Sequence, residues 1–137
     1  MFLSFKDRKL PSPGDLVRVY RNLPKPPYYS IRAEEGDSKG LVLGHAKAVI
    51  IEDVKFLVGE KSRKTVLKNG VRGVHAYALG RFVGVCDEPP ADFLTKESVQ
   101  VTYQPFVHGH FFERSAPLTP VTESKQCCMF GPDCLIP

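Results

Sequence analysis

The chain has 137 residues, 42% apolar and 25% charged, with a net charge of +4, the make-up of one globular domain able to bury roughly two thirds of its unfolded surface. No apolar run approaches the ~20 residues needed to span a bilayer as a helix. The opening MFLSFKDRKL places its basic residues after its apolar ones, the wrong order for a secretory signal, so a cytoplasmic setting with reduced thiols is expected.

Phe2, Leu3 and Phe5 give the start apolar weight, so the N-terminus is expected to pack on the domain, with Lys6, Arg8 and Lys9 on an exposed turn. Pro11 to Gly14 reads as a turn and Asp15 to Tyr20 as a strand with Val17 and Val19 on one face. This Pro-Gly-Asp turn running into a short β-branched strand resembles the opening of SH3-like small barrels, across residues 11–20. Arg21 to Pro27 holds three prolines and must be a surface connection. Tyr28 to Ala33 reads as the next strand, Glu34 to Gly40 as a hairpin tip, and Leu41 to Leu43 as the start of a third strand, with a bend allowed at Gly44.

Val49 to Val58 alternates most cleanly, with Ile50, Val54, Phe56 and Val58 on one face; Glu52 interrupts this pattern and is expected at a strand edge, because a lone buried carboxylate is costly. Next comes the densest basic cluster. Lys61, Arg63, Lys64, Lys68 and Arg72 lie within twelve residues with no acid among them. Either they form a short helix, capped at Ser62, ended at Asn69-Gly70 and anchored by Val66 and Leu67, or they form a flexible basic hairpin loop. From Val71 to Val85 both alternating faces are largely apolar, which predicts a long strand buried on both sides or bent by its glycines.

Cys86 to Ala91 breaks that run, Asp92 to Glu97 suggests one helical turn, and Val99, Val101 and Tyr103 mark a half-buried strand. Phe106 to Phe112 reads as a further strand or an aromatic-lined loop. Beyond Glu113 periodicity is lost, so residues 1–113 are taken as one β-rich domain and 114–137 as an irregular tail whose last residues, Ser124 to Pro137, are dispensable for folding. The fold class expected is all-β or β-rich α+β: a small, partly open barrel, SH3-like or OB-like, of six to eight short strands with at most one or two short helices.

Charge alternates along the chain: residues 1–33 carry +5, 34–58 carry −2, 59–85 carry +5 and 86–137 carry −4. Basic segments folded to one side would make a surface for a polyanion. Lys61, Arg63, Lys64, Lys68 and Arg72 are therefore the candidate phosphate contacts, supported by Arg18 and Arg21, with Tyr77 as a ring on which a base could stack. A solvated basic loop beside a core tyrosine is the competing reading. His108 and His110 have the i, i+2 spacing of two metal ligands in an extended chain, but completing a site would need thiols from Cys127, Cys128 or Cys134, and CC-x5-C is not a zinc-finger spacing. No metal and no cofactor are expected. Phosphate-loop, dinucleotide and H-E-x-x-H motifs are absent.

Three functions follow in order of preference: a nucleic-acid-binding module, RNA or single-stranded nucleic acid favoured; a protein-interaction module, an inhibitor or accessory factor acting through a sheet edge and charged loops; and a small β-barrel ribonuclease with His75 as base. Enzyme activity is thus the less favoured class.

Overall fold

The computed structural model describes residues 3–4 and 11–137. The N-terminus docks on the sheet through Leu3 and Ser4, which pair with His45 and Gly44; the expected packing of Phe2 and Phe5 and the basic turn at Lys6, Arg8 and Lys9 lie outside the described residues. In chain order the elements are β1 (Leu3–Ser4), β2 (Leu16–Arg21), β3 (Tyr29–Ala33), β4 (Val42–Ala46), β5 (Ala48–Val58), α1 (Glu60–Asn69), β6 (Ala76–Cys86), a 3₁₀ turn (Ala91–Phe93), β7 (Val99–Thr102), β8 (Phe112–Glu113), β9 (Ala116–Pro120), β10 (Glu123–Phe130) and β11 (Asp133–Ile136). The protein is β-rich, with one α-helix among the described residues, and that helix is too short to cross a membrane.

All strands join one antiparallel sheet in the order β1-β4-β3-β2-β6-β5-β10-β11-β7-β8-β9. This corrects the expected six to eight strands of a small barrel: the described residues hold eleven, in a series whose two ends do not pair. The sheet nevertheless curls around a core. Val17, Ile31, Ile51, Phe82, Val101 and Met129 come from six different strands and meet in one buried cluster. A smaller cluster of Ala48, Phe93, Cys128 and Leu135 covers the other face of β10 and β11.

β2 follows its pattern, with Val17 and Val19 fully buried between half-exposed Leu16, Arg18 and Tyr20. β5 departs from a single alternation. Val49 and Ile51 point into the main core, and so do Val54 and Phe56, because the register against β6 shifts between Glu52 and Lys55 and Asp53 takes the left-handed conformation (φ 52°). The extra residue resets the side-chain parity. Ile50 consequently packs with the smaller cluster rather than beside Val54 and Phe56, and Glu52 is exposed at the bulge of an interior strand rather than at a sheet edge. Gly80 sits opposite: a Cβ there would lie 2.8 Å from the Glu52 carbonyl oxygen.

The basic segment is helical. α1 begins after Gly59, not at Ser62, and ends at Gly70, whose left-handed backbone (φ 66°) directs its N–H to the Val66 carbonyl at 2.9 Å. The long strand predicted from Val71 starts only at Ala76, and one face of it is buried through Ala78 and Phe82, while Val83 on the other face is exposed.

The largest correction concerns residues 114–137. Instead of an irregular tail they form β9, β10 and β11. β10 lies inside the sheet, paired with β5 from Glu123–Lys55 to Phe130–Ala48 and with β11 on its other side. The missing period has a physical cause: Cys127 and Met129 enter one core and Cys128 the other, so consecutive residues are all buried and no alternation is visible.

Candidate nucleic-acid interface

α1 places three lysines together. Lys61, Lys64 and Lys68 recur at i, i+3 and i+7, so they share one face, and all three are exposed. Val66, on the opposite side, is the buried anchor of the helix. A single buried side chain is little for a ten-residue helix, and Arg63 supplies the second tie. Its Nε and Nη2 donate to the Pro105 carbonyl at 3.1 and 2.7 Å. A charge-assisted contact of this kind is worth about 1.5–3 kcal/mol, and here the two part-buried bonds to one carbonyl clamp α1 to the loop after β7.

Between helix and loop lies a cavity of about 350 Å³. Val19, Tyr29, Met129 and Cys134 are among its apolar walls, while Arg72, Tyr77, Tyr103 and Gln104 bring polar groups. At its rim stand Val74, Phe106 and Val107, respectively 50%, 69% and 51% exposed. One wall is fixed by a buried polar pair. His75 Nε2 lies 2.7 Å from the Tyr103 hydroxyl, and His75 Nδ1 lies 2.8 Å from the Gly73 carbonyl oxygen. A carbonyl only accepts, so Nδ1 carries the hydrogen; in the uncharged ring Nε2 then accepts from Tyr103. Burial pushes the Tyr103 phenol above its ordinary range, with the Arg63 charge pulling back. Tyr103 also packs against Phe111, which meets Phe56, with ring centroids 5.3 and 5.0 Å apart.

The residues selected from sequence divide into two groups. Lys61, Lys64, Lys68 and Arg72 are exposed and, among the described residues, form no ion pair. Arg63, Arg18 and Arg21 are committed to protein acceptors. Arg18 pairs with Glu34 at 2.7 Å and lies 3.9 Å over the Tyr77 ring; Arg21 donates to the Pro132 carbonyl. Tyr77 joins Arg72 in lining the cavity. His75, the base of the ribonuclease reading, has both ring nitrogens engaged and is buried, which leaves it no free nitrogen for proton abstraction.

His108 and His110 are stacked 5.0 Å apart in the loop before β8. The Nε2 of His110 is buried without a hydrogen-bond partner among the described residues. The three late cysteines lie in β10 and β11, and no group of three His, Cys, Asp or Glu side chains among the described residues is disposed to hold a metal. Burial pushes the Cys128 and Cys134 thiols up to about 12 and Cys127 well above the usual thiol range. They behave as small apolar groups.

Sequence reasoning missed the rim. Val74, Phe106, Val107 and Gln104 come from two segments far apart in the chain, and the signal available was the aromatic run at Phe106 to Phe112, which had no visible partner until the fold set it beside the basic segment.

Fold and site define a β-rich protein built on one curled antiparallel sheet, with a basic helix beside an apolar cavity. The chain belongs to the family described as Mycobacterium phage L5 gene 82 protein, whose family model matches residues 11–136 and so takes in the whole candidate site. The "Gene 82 protein" of Mycobacterium phage L5 is 30% identical over 100 residues, covering 69% of this chain and 75% of that protein. No solved structure matches the chain.

Proposed function

We propose that this protein is a nucleic-acid-binding module for RNA or single strands, with Lys61, Lys64, Lys68 and Arg72 as its phosphate contacts. The observation that carries the reading is the contrast between cations. Arg18, Arg32, Arg81 and Arg114 are each held by a carboxylate within 2.7–3.3 Å, whereas Lys61, Lys64, Lys68 and Arg72 have no acidic partner among the described residues, and of these Arg72 lines a cavity with aromatic walls. Unneutralised, clustered cations release counterions when they meet a polyanion, and that release drives binding. A single strand suits the site better than a duplex because bases in a duplex are already stacked and paired.

A filter-binding titration with a generic RNA tests this. Four phosphate contacts to a single strand predict a log–log salt slope of about −3, and Lys61, Lys64 and Lys68 changed together to Gln should flatten it to about −1. No retention at low salt would remove the reading.

A second reading, a protein partner at a sheet edge, draws on Leu118, which stands 86% exposed on the terminal strand β9. Pro117 and Pro120 blunt that edge, since neither can donate to a new ladder. A pull-down from nuclease-treated lysate separates the two: a stoichiometric protein recovered with the wild type and lost with Leu118→Lys would favour the edge.

A further inference from the structure

We infer that the cavity between α1 and the loop after β7 accepts one unstacked nucleobase of the strand whose phosphates lie on α1, an inference that rests on the nucleic-acid reading above. Three features of the cavity argue for this occupant. Its volume of about 350 Å³ is at the low end of the range of small-molecule sites, about 300–1,000 Å³, enough for one ring system. Its rim keeps Val74, Phe106 and Val107 in water, where they contribute nothing to the core, so a flat apolar group laid against them would remove that surface from solvent. Finally, Arg72 lines the same cavity and follows directly on the lysine helix. The occupant must therefore join an apolar ring to an anion, as a nucleotide does.

The polar wall suits a base without reading its identity. The Tyr103 hydroxyl is taken up by His75 and Arg63, so the group left to meet a base is Gln104, which also lines the cavity and is exposed. Its amide oxygen accepts from a ring N–H or an exocyclic amino group, and every base carries one or the other. The expected site is sequence-tolerant, with affinity coming from stacking on the rim and from phosphate contacts.

The test compares a uridine octamer with an octamer of the same backbone in which every base is absent, by fluorescence anisotropy at low salt. Stacking of one base predicts that the octamer with bases binds roughly tenfold tighter. Phe106→Ala, at an exposed position, should lower binding of the uridine octamer to the level of the abasic one and leave abasic binding unchanged. Equal binding of the two octamers by the wild type would overturn the base site while leaving the phosphate reading standing; binding of neither would remove both. If the octamers bind equally but the fluorescent apolar anion anilinonaphthalene sulfonate enters the cavity and is lost with Phe106→Ala, the occupant is a small amphipathic anion and the inference is wrong.

Discussion

The Tyr29 hydroxyl donates to the Gly131 carbonyl at 2.7 Å, joining the first hairpin of the chain to its last. β3 and β10 are separated by three strands in the sheet order, β2, β6 and β5, so this bond closes the curl across the core rather than along a ladder. The neighbouring turn residue Pro132 also accepts from Arg21 and from Thr102 Oγ1. The Gly131–Pro132 turn is thus where early and late strands meet.

That closure makes the C-terminal residues part of the fold. Deleting Ser124 to Pro137 removes most of β10 from between β5 and β11, all of β11, and with them Cys127, Cys128, Met129 and Cys134 from the two cores. The truncated chain is expected to lose its cooperative thermal transition and to bind a hydrophobic dye. A sharp transition within a few degrees of the full-length protein would contradict this.

Tyr103→Phe is expected to cost about 1–2 kcal/mol, because His75 Nε2, in a ring 8% exposed, loses its donor. For a domain of this length that is a fall of roughly 4–7 °C in Tm. Phe106→Ala, at a rim position, should move Tm by no more than about 2 °C. Calorimetry of the two variants side by side decides whether the cavity wall is structural and its rim is free.

Gly80→Ala should destabilise by about 1–3 kcal/mol, since its Cβ would meet the Glu52 carbonyl at 2.8 Å and Ile51 at 3.4 Å, both fixed by the bulge. Gly84→Ala in the same strand is the control, because nothing lies within 4 Å of its Cβ. Urea midpoints for the pair should separate clearly; equal midpoints would mean that the bulge relaxes.

Burial raises the Cys128 and Cys134 thiols from 9.0 to about 12. Between those values the unfolded chain loses protons that the folded chain retains, so stability is full below about pH 9 and declines as pH rises toward 12. Denaturation midpoints at pH 7, 8.5 and 10 should fall at the highest value, and Cys134→Ala should show a shallower decline. In the native state a thiol reagent should label half-exposed Cys86 first, and Cys127, Cys128 and Cys134 only on unfolding.

Local patterns were enough to identify much of this protein. The valines of β2, the polar tip at 34–40, the break at Pro89-Pro90 and the acid-free basic run each follow from neighbours a few residues apart, and so does the expectation of a β-rich chain with little helix. Tertiary structure decided what local pattern does not encode. The bulge at Asp53 reset the parity of β5; burial on both faces hid β10 from any test of alternation; and the two-residue strands β1 and β8 are too short to carry a period. For the site, the sequence by itself determined that Lys61, Lys64, Lys68 and Arg72 are concentrated together, but only the fold determined that they meet no acid among the described residues while Arg18, Arg21 and Arg63 are turned to Glu34, Pro132 and Pro105. The physical reason is that a side chain's charge is written in the chain, whereas its partner is whichever group the sheet brings within about 3 Å of it.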